Sequence, residues 1–236
     1  MKKQQLLKTI NKNPRNSHDY DDEDEGMSQV QLGYFVNSKT FHQYTVPLDE
    51  DIIQPSYYRA VVQALEDADE GDSFIFKISS RGGALTGLQV LLEGIKNTQA
   101  HTIAMLVGQC ASAASIFTLH CDTVIVTDSA DMLAHYVSFA TGGKGADIVS
   151  HVAHVSKTSE KLIRSTYEHF LSESEINAII DGKEMYLDAD EIRERLSKRE
   201  DIREAEFLAE QAKMEAEQKA LNAPKKPPAK KVVKPK

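Results

Sequence analysis

Apolar residues recur in short runs that alternate with amphipathic stretches. Ser73–Ile78 (SFIFKI), Thr102–Val107 (TIAMLV) and Thr123–Val126 (TVIV) are rich in β-branched, aromatic and aliphatic side chains. Each reads as a buried strand. Between them, Ser56–Ala68 sets Ala60, Val61, Ala64, Leu65 and Ala68 on one helical stripe, and Leu85–Asn97 is again amphipathic. Ala111–His120 is small and apolar, which suits a buried helix. Gln31–Val36, Tyr44–Val46 and Met132–Val137 add three more predicted strands. Farther on, Ile148–Phe170 carries Ile148, Val152, Val155, Leu162, Ile163, Tyr167 and Phe170 on or near one face, the mark of a long helix. A shorter helix is expected over Ser174–Asp181, and a last one from near Asp188. Strands alternating with helices predict an α/β fold with a largely parallel sheet. No internal repeat is visible.

Charge and proline divide this pattern into parts. The chain has 236 residues and a net charge of −8. Six acids fall within residues 19–25 (DYDDEDE), while residues 224–236 hold six Lys, four Pro and no acid. Setting those six lysines aside takes residues 1–223 from −8 to −14. No proline falls between Ser56 and Ala223, as expected of a densely regular domain. The organisation expected is a disordered acidic arm (1–27), a folded domain (28–197), a charged helix (198–222) and a disordered Lys/Pro tail (223–236). Two cysteines make no disulfide framework and suit a reducing cytosol, so a cytoplasmic location is expected. The basic N-terminal stretch has no apolar h-region, so no secretory signal is expected, and no apolar run approaches the about 20 residues of a membrane span. Net acidity argues against a nucleic-acid binder, and the tail has no aromatics for base stacking.

Three places could carry chemistry. Ser79-Ser80-Arg81-Gly82-Gly83 follows a strand and precedes a helix. Paired glycines there allow a sharp turn with bare N–H groups, and a plain strand–helix turn explains them as well. No phosphate-loop or dinucleotide fingerprint is present. In Gly108–Ser115 (GQCASAAS), Ser112 stands at a strand-to-helix junction. A hydroxyl there can cap the helix. It can equally act as a nucleophile, with the helix's N–H groups beside it for an oxyanion. His135, in MLAHYV (132–137), is the type of base an unactivated serine needs, though any single histidine can be purely structural. His151 and His154 lie three apart on one helix without a third ligand, and read as helix surface rather than a metal site.

Taken together, ISSRGG (78–83), GQCASAAS (108–115) and MLAHYV (132–137) resemble, in order and spacing, the Clp protease proteolytic subunit of the ClpP/crotonase superfamily. The resemblance runs from roughly Tyr44 to Leu196 and includes MYLDADEIRERL (185–196). It implies a ClpP/crotonase-like fold of repeated β-β-α units and a serine peptidase without metal or cofactor. Position by position, Ser112 matches the nucleophile, His135 the general base, and the backbone N–H groups of Gly83 and Ala113 the oxyanion hole. Asp181 best matches the orienting acid, one residue short of the family's spacing, with Glu184 next. Arg81 stands where the family has proline, Ala134 is an apparent insertion, and the family's closing Tyr-Gly-Leu-Ile-Asp is absent. These departures suggest a divergent branch.

The resemblance implies protein or peptide substrates and a homo-oligomeric ring. Its partner would be either an AAA+ unfoldase or, on a viral branch, the capsid and scaffold proteins of phage head maturation. Two other readings share the fold. One is a crotonase-fold acyl-CoA enzyme, which usually has acidic catalytic residues where Ser112 and His135 stand. The other is an inactive ClpP-like scaffold protein.

Overall fold

The structure, a computed structural model, describes residues 40–221, with side chains to residue 218. The acidic arm, the strand expected at Gln31–Val36 and the Lys/Pro tail lie outside the described residues. The described chain is a mixed α/β domain built on a six-stranded sheet. Strands β1 (Gln43–Leu48), β2 (Ser73–Ser80), β3 (His101–Ala111), β4 (Thr123–Val126), β5 (Asp131–Ala134) and β6 (Met185–Leu187) alternate with helices α1 (Arg59–Glu66), α2 (Leu85–Asn97), α3 (Ala113–His120), α4 (Gly145–Tyr167), α5 (Glu173–Ile180) and α6 (Ala189–Leu221). A short 3-10 turn at Pro55–Tyr58 leads into α1.

The sheet runs β1-β2-β3-β5-β6, all parallel except the final β5–β6 pair. β3 is long enough to serve two neighbours in turn. Ile103–Leu106 pair with β4, and Gln109–Ala111 pair with β5. Its last residues thus reach the position where α3 begins. Alternation in β2 turns Phe74, Phe76, Ile78 and Ser80 inward. Phe76 meets Phe117 of α3 edge to face at 4.9 Å, and Tyr44 stacks on Phe74 at 4.4 Å. Such aromatic pairs add roughly 0.5–1.5 kcal/mol beyond the area they bury. Every residue of α3 but its terminal His120 is buried, so its start is held rigidly against the sheet.

Two expectations change in detail. The strand expected over Met132–Val137 ends at Ala134, because β6 offers only three residues to pair with, and the chain then turns away. The domain boundary expected at 197/198 falls inside α6, which is continuous. Asp188 starts that helix by accepting from the N–H groups of Asp190 and Glu191, while Glu191 accepts from the Asp188 N–H. Side-chain pairs such as Lys198–Glu194 carry α6 across the expected break. Among the described residues no helix is long and apolar enough to cross a membrane.

Helix α5 is tied down at its start by Glu175. Its carboxylate accepts from the Ser172 N–H in a capping box and takes both terminal nitrogens of Arg195, at 3.0 and 2.8 Å. The Arg195 guanidinium, with help from Ser172, holds the Glu175 carboxyl at about 2, below its ordinary 4.5. A carboxylate depressed in the folded state stabilises fully above its unfolded value and loses that contribution as pH falls. Glu175→Gln is therefore expected to lower the melting temperature at neutral pH. The gap from the native chain should close between pH 4.5 and about 2. Thermal melts across that range check it, and a gap independent of pH would refute it.

Candidate active site

Ser112 is the junction between β3 and α3. Its backbone has φ 57° and ψ −122°, in the left-handed region that side-chain-bearing residues avoid. Holding it there costs on the order of 1–3 kcal/mol, which the surroundings must supply. They do so through the backbone. The Ser112 N–H donates to Leu133 O at 2.8 Å, and the Ser112 carbonyl accepts from the N–H groups of Ser115 and Ile116. The Ser115 hydroxyl also donates to that carbonyl at 2.7 Å and lies 2.7 Å from the buried Tyr167 hydroxyl of α4. Ser112 thus occupies the cap position, yet its own hydroxyl accepts no capping hydrogen bond. Of the two roles open to it from sequence, its side chain is not performing the capping one.

The turn after β2 lies directly on this elbow. Ser80 fixes it, donating its hydroxyl to Glu50 O at 2.6 Å and accepting from the Gly82 N–H at 3.1 Å. Gly82 has φ 88°, and a Cβ there would stand 2.4 Å from Ala111 O, 2.7 Å from Ala113 N and 2.8 Å from Ser112 Cβ. Gly83 has φ 138°, and a Cβ there would strike Ile52 O at 2.2 Å. Only glycine fits either position. The neighbouring strand segment is held by Ile52 N–H to Gly82 O and Ala84 N–H to Ile52 O. Among the described residues, neither the Gly83 N–H nor the Ala113 N–H is spent on a backbone hydrogen bond.

A cleft of about 500 Å³ opens over this junction. Ser112, Ala113, Gly83 and His135 all line it. His135 arrives from β5, one residue past the last paired position, and is half-buried. No hydrogen bond joins its imidazole to the Ser112 hydroxyl among the described residues. Asp181 is exposed at the C-terminal end of α5 and is not among the residues lining the cleft. Glu184 is exposed and accepts from the Tyr186 hydroxyl at 2.8 Å. It directly precedes Met185, the partner of Ala134, so the sheet register sets it near His135 along the strand pair. Neither carboxylate is hydrogen-bonded to His135 among the described residues.

Two neighbours bear on the chemistry. Cys110, two residues before Ser112, is fully buried against Thr118, and burial pushes its thiol up to about 12. It is no nucleophile at neutral pH. His151 of α4 lines the cleft with its ring edge-on to Phe139, at 6.2 Å between centroids. Sequence reasoning leaves His151 on a helix surface. Its place here depends on the path of residues 135–144, which no local pattern reports.

A family model for the Clp protease matches residues 32–195, well over half the chain. The chain belongs to the Clp protease family. A comparison with curated proteins finds no match. Clp protease family membership carries a peptidase domain, and the family is generally oligomeric and acts on protein substrates. The mixed α/β architecture with its mostly parallel sheet is consistent with that membership.

Proposed function

We propose that this Clp protease family member is a serine endopeptidase with Ser112 as nucleophile and His135 as general base. The observation that carries the reading is the Ser112 elbow: a hydroxyl not used for capping, beside two unspent N–H groups, in a cleft shared with His135. His135 takes the Ser112 proton as Oγ attacks the peptide carbonyl. The Gly83 and Ala113 N–H groups hold the oxyanion as it forms. His135 then gives the proton to the leaving amine, and a water it activates releases the acyl group. Catalytic hydrogen bonds are often long without substrate and tighten on binding or assembly. The third member is a carboxylate that orients His135, Asp181 by family spacing or Glu184 by strand register.

The protein works as a homo-oligomeric ring on protein substrates in the cytoplasm, either beside an ATP-dependent unfoldase or on capsid and scaffold chains during phage head maturation. A second reading, a family member that kept the fold without turnover, is favoured by the lack of any carboxylate lining the cleft among the described residues. Casein turnover by the full chain tests the choice. Cleavage that disappears in Ser112→Ala supports the peptidase. Cleavage unchanged by that substitution, or none from the assembled native chain, supports the inactive reading.

A further inference from the structure

The cleft over Ser112 is lined on one side by fixed charge. Arg81, His135 and His151 are its ionisable lining residues, all of them bases, and Arg81 alone is permanently charged. Ile116, Val137 and Phe139 give the same cleft an apolar wall. Arg81 is held in place from outside the cleft. Its Nε and Nη2 donate to the two carboxylate oxygens of Asp51, at 3.1 and 2.7 Å. A guanidinium has five N–H donors, and Asp51 takes one edge of them. The Nη1 edge remains, on a side chain 77% exposed.

The acids sit on the far side of Arg81. Asp49, Glu50 and Asp51 line a separate hollow of about 360 Å³, and Arg81 is the one residue common to that hollow and the cleft. The Arg81–Asp51 pair is neutral as a whole, but Arg81 lines the cleft and Asp51 does not. The cleft lining thus offers a carboxylate one fixed cation and two imidazoles, and offers an ammonium no acid. Arg81 also lies two residues before Gly83, and two residues of chain span at most about 7 Å.

We propose that Arg81 sets substrate preference, reading an Asp or Glu side chain within about two residues of the scissile bond through its free Nη1 edge, with an apolar side chain lodged beside it. The proposal rests on the peptidase reading of Ser112. Asp51 acts as a positioning residue that prepays the ordering of the guanidinium, whose planar fork suits a second carboxylate end-on.

The test uses the full chain carrying Ser112→Ala and one peptide made with Glu, Gln or Lys at each position flanking the cut. Equilibrium binding is measured beside turnover by the native chain. At low salt, the Glu peptide is expected to bind about fivefold more tightly than its Gln counterpart, the upper range for an exposed ion pair. Added salt should narrow that ratio. Arg81→Gln should bring it to within about twofold, and Arg81→Glu should turn the preference toward Lys. A merely structural role for Arg81 would weaken all three peptides alike and leave their ratios unmoved. Equal binding of Glu and Gln peptides, or a Lys preference in the chain with native Arg81, overturns the proposal. Selective binding with no turnover by the native chain removes the peptidase reading and with it the substrate preference, leaving Arg81 only as a carboxylate-binding residue. Turnover with no selectivity keeps the peptidase reading and removes the Arg81 assignment.

Discussion

Ser112→Ala is expected to lower kcat on casein or an unstructured peptide by at least about 10⁴-fold, as removing a nucleophile does in unrelated serine hydrolases. The fold should survive the change. The Ser112 hydroxyl makes no capping hydrogen bond, and the backbone bonds to Leu133, Ser115 and Ile116 do not depend on it. Alanine carries the same Cβ and meets at φ 57° only the strain that serine already bears, so stability is expected to change by no more than about 0.5 kcal/mol. Activity and stability therefore separate. A variant that melts near the native temperature and turns over nothing identifies the hydroxyl as the reacting group. A fall in activity that merely tracks a fall in folded fraction would leave Ser112 as a structural residue.

Gly82→Ala, at a residue that itself supplies none of the proposed reacting groups, is expected to cost at least about 10²-fold in kcat/KM, the scale of a misplacement near 1 Å. The added methyl would stand at 2.4 Å from Ala111 O, 2.7 Å from Ala113 N and 2.8 Å from Ser112 Cβ, at a φ of 88°. All three neighbours belong to the elbow, and two of them are rigid backbone. The strain must be relieved by moving the turn away from the elbow. That widens the space between the Gly83 and Ala113 N–H groups, which together form the proposed oxyanion hole. Lost transition-state stabilisation should appear in kcat more than in KM. Steady-state kinetics with a chromogenic peptide check this, alongside a melt, because overpacking of this kind also costs about 1–3 kcal/mol. Native kcat in a folded Gly82→Ala chain would show that the turn and the elbow need not meet for chemistry.

Much of this site is legible in the sequence because buried parallel strands write continuous apolar runs. SFIFKI and TIAMLV mark β2 and β3, and the strands end at the Gly82-Gly83 turn and at Ser112 respectively. The role of Ser112 is not decided by sequence. A cap and a nucleophile use the same residue at the same junction, and only the positive φ and the idle hydroxyl distinguish them. His151 is illegible for a different reason. Three turns of exposed helix carry no sign of which loop will fold over them, and Phe139 reaches it from outside any regular element. The acid is hardest to read. Asp181 caps α5 and Glu184 borders β6, so sequence spacing from His135 runs through two helices, α4 and α5, and the turns between them, whose directions are set by packing. α6 reads as divisible because its later residues bury little, but helix propensity and neighbouring ion pairs need no core to continue it.

Activation of a Ser112 nucleophile by His135 is read most directly by covalent labelling. The assembled full chain is treated with a fluorophosphonate, and the adduct is located by peptide mass spectrometry. One adduct on Ser112 is expected, absent from Ser112→Ala and formed at least about 10²-fold more slowly in His135→Ala. An adduct on another residue, no adduct in a preparation that cleaves peptide, or an equal rate in His135→Ala would contradict it.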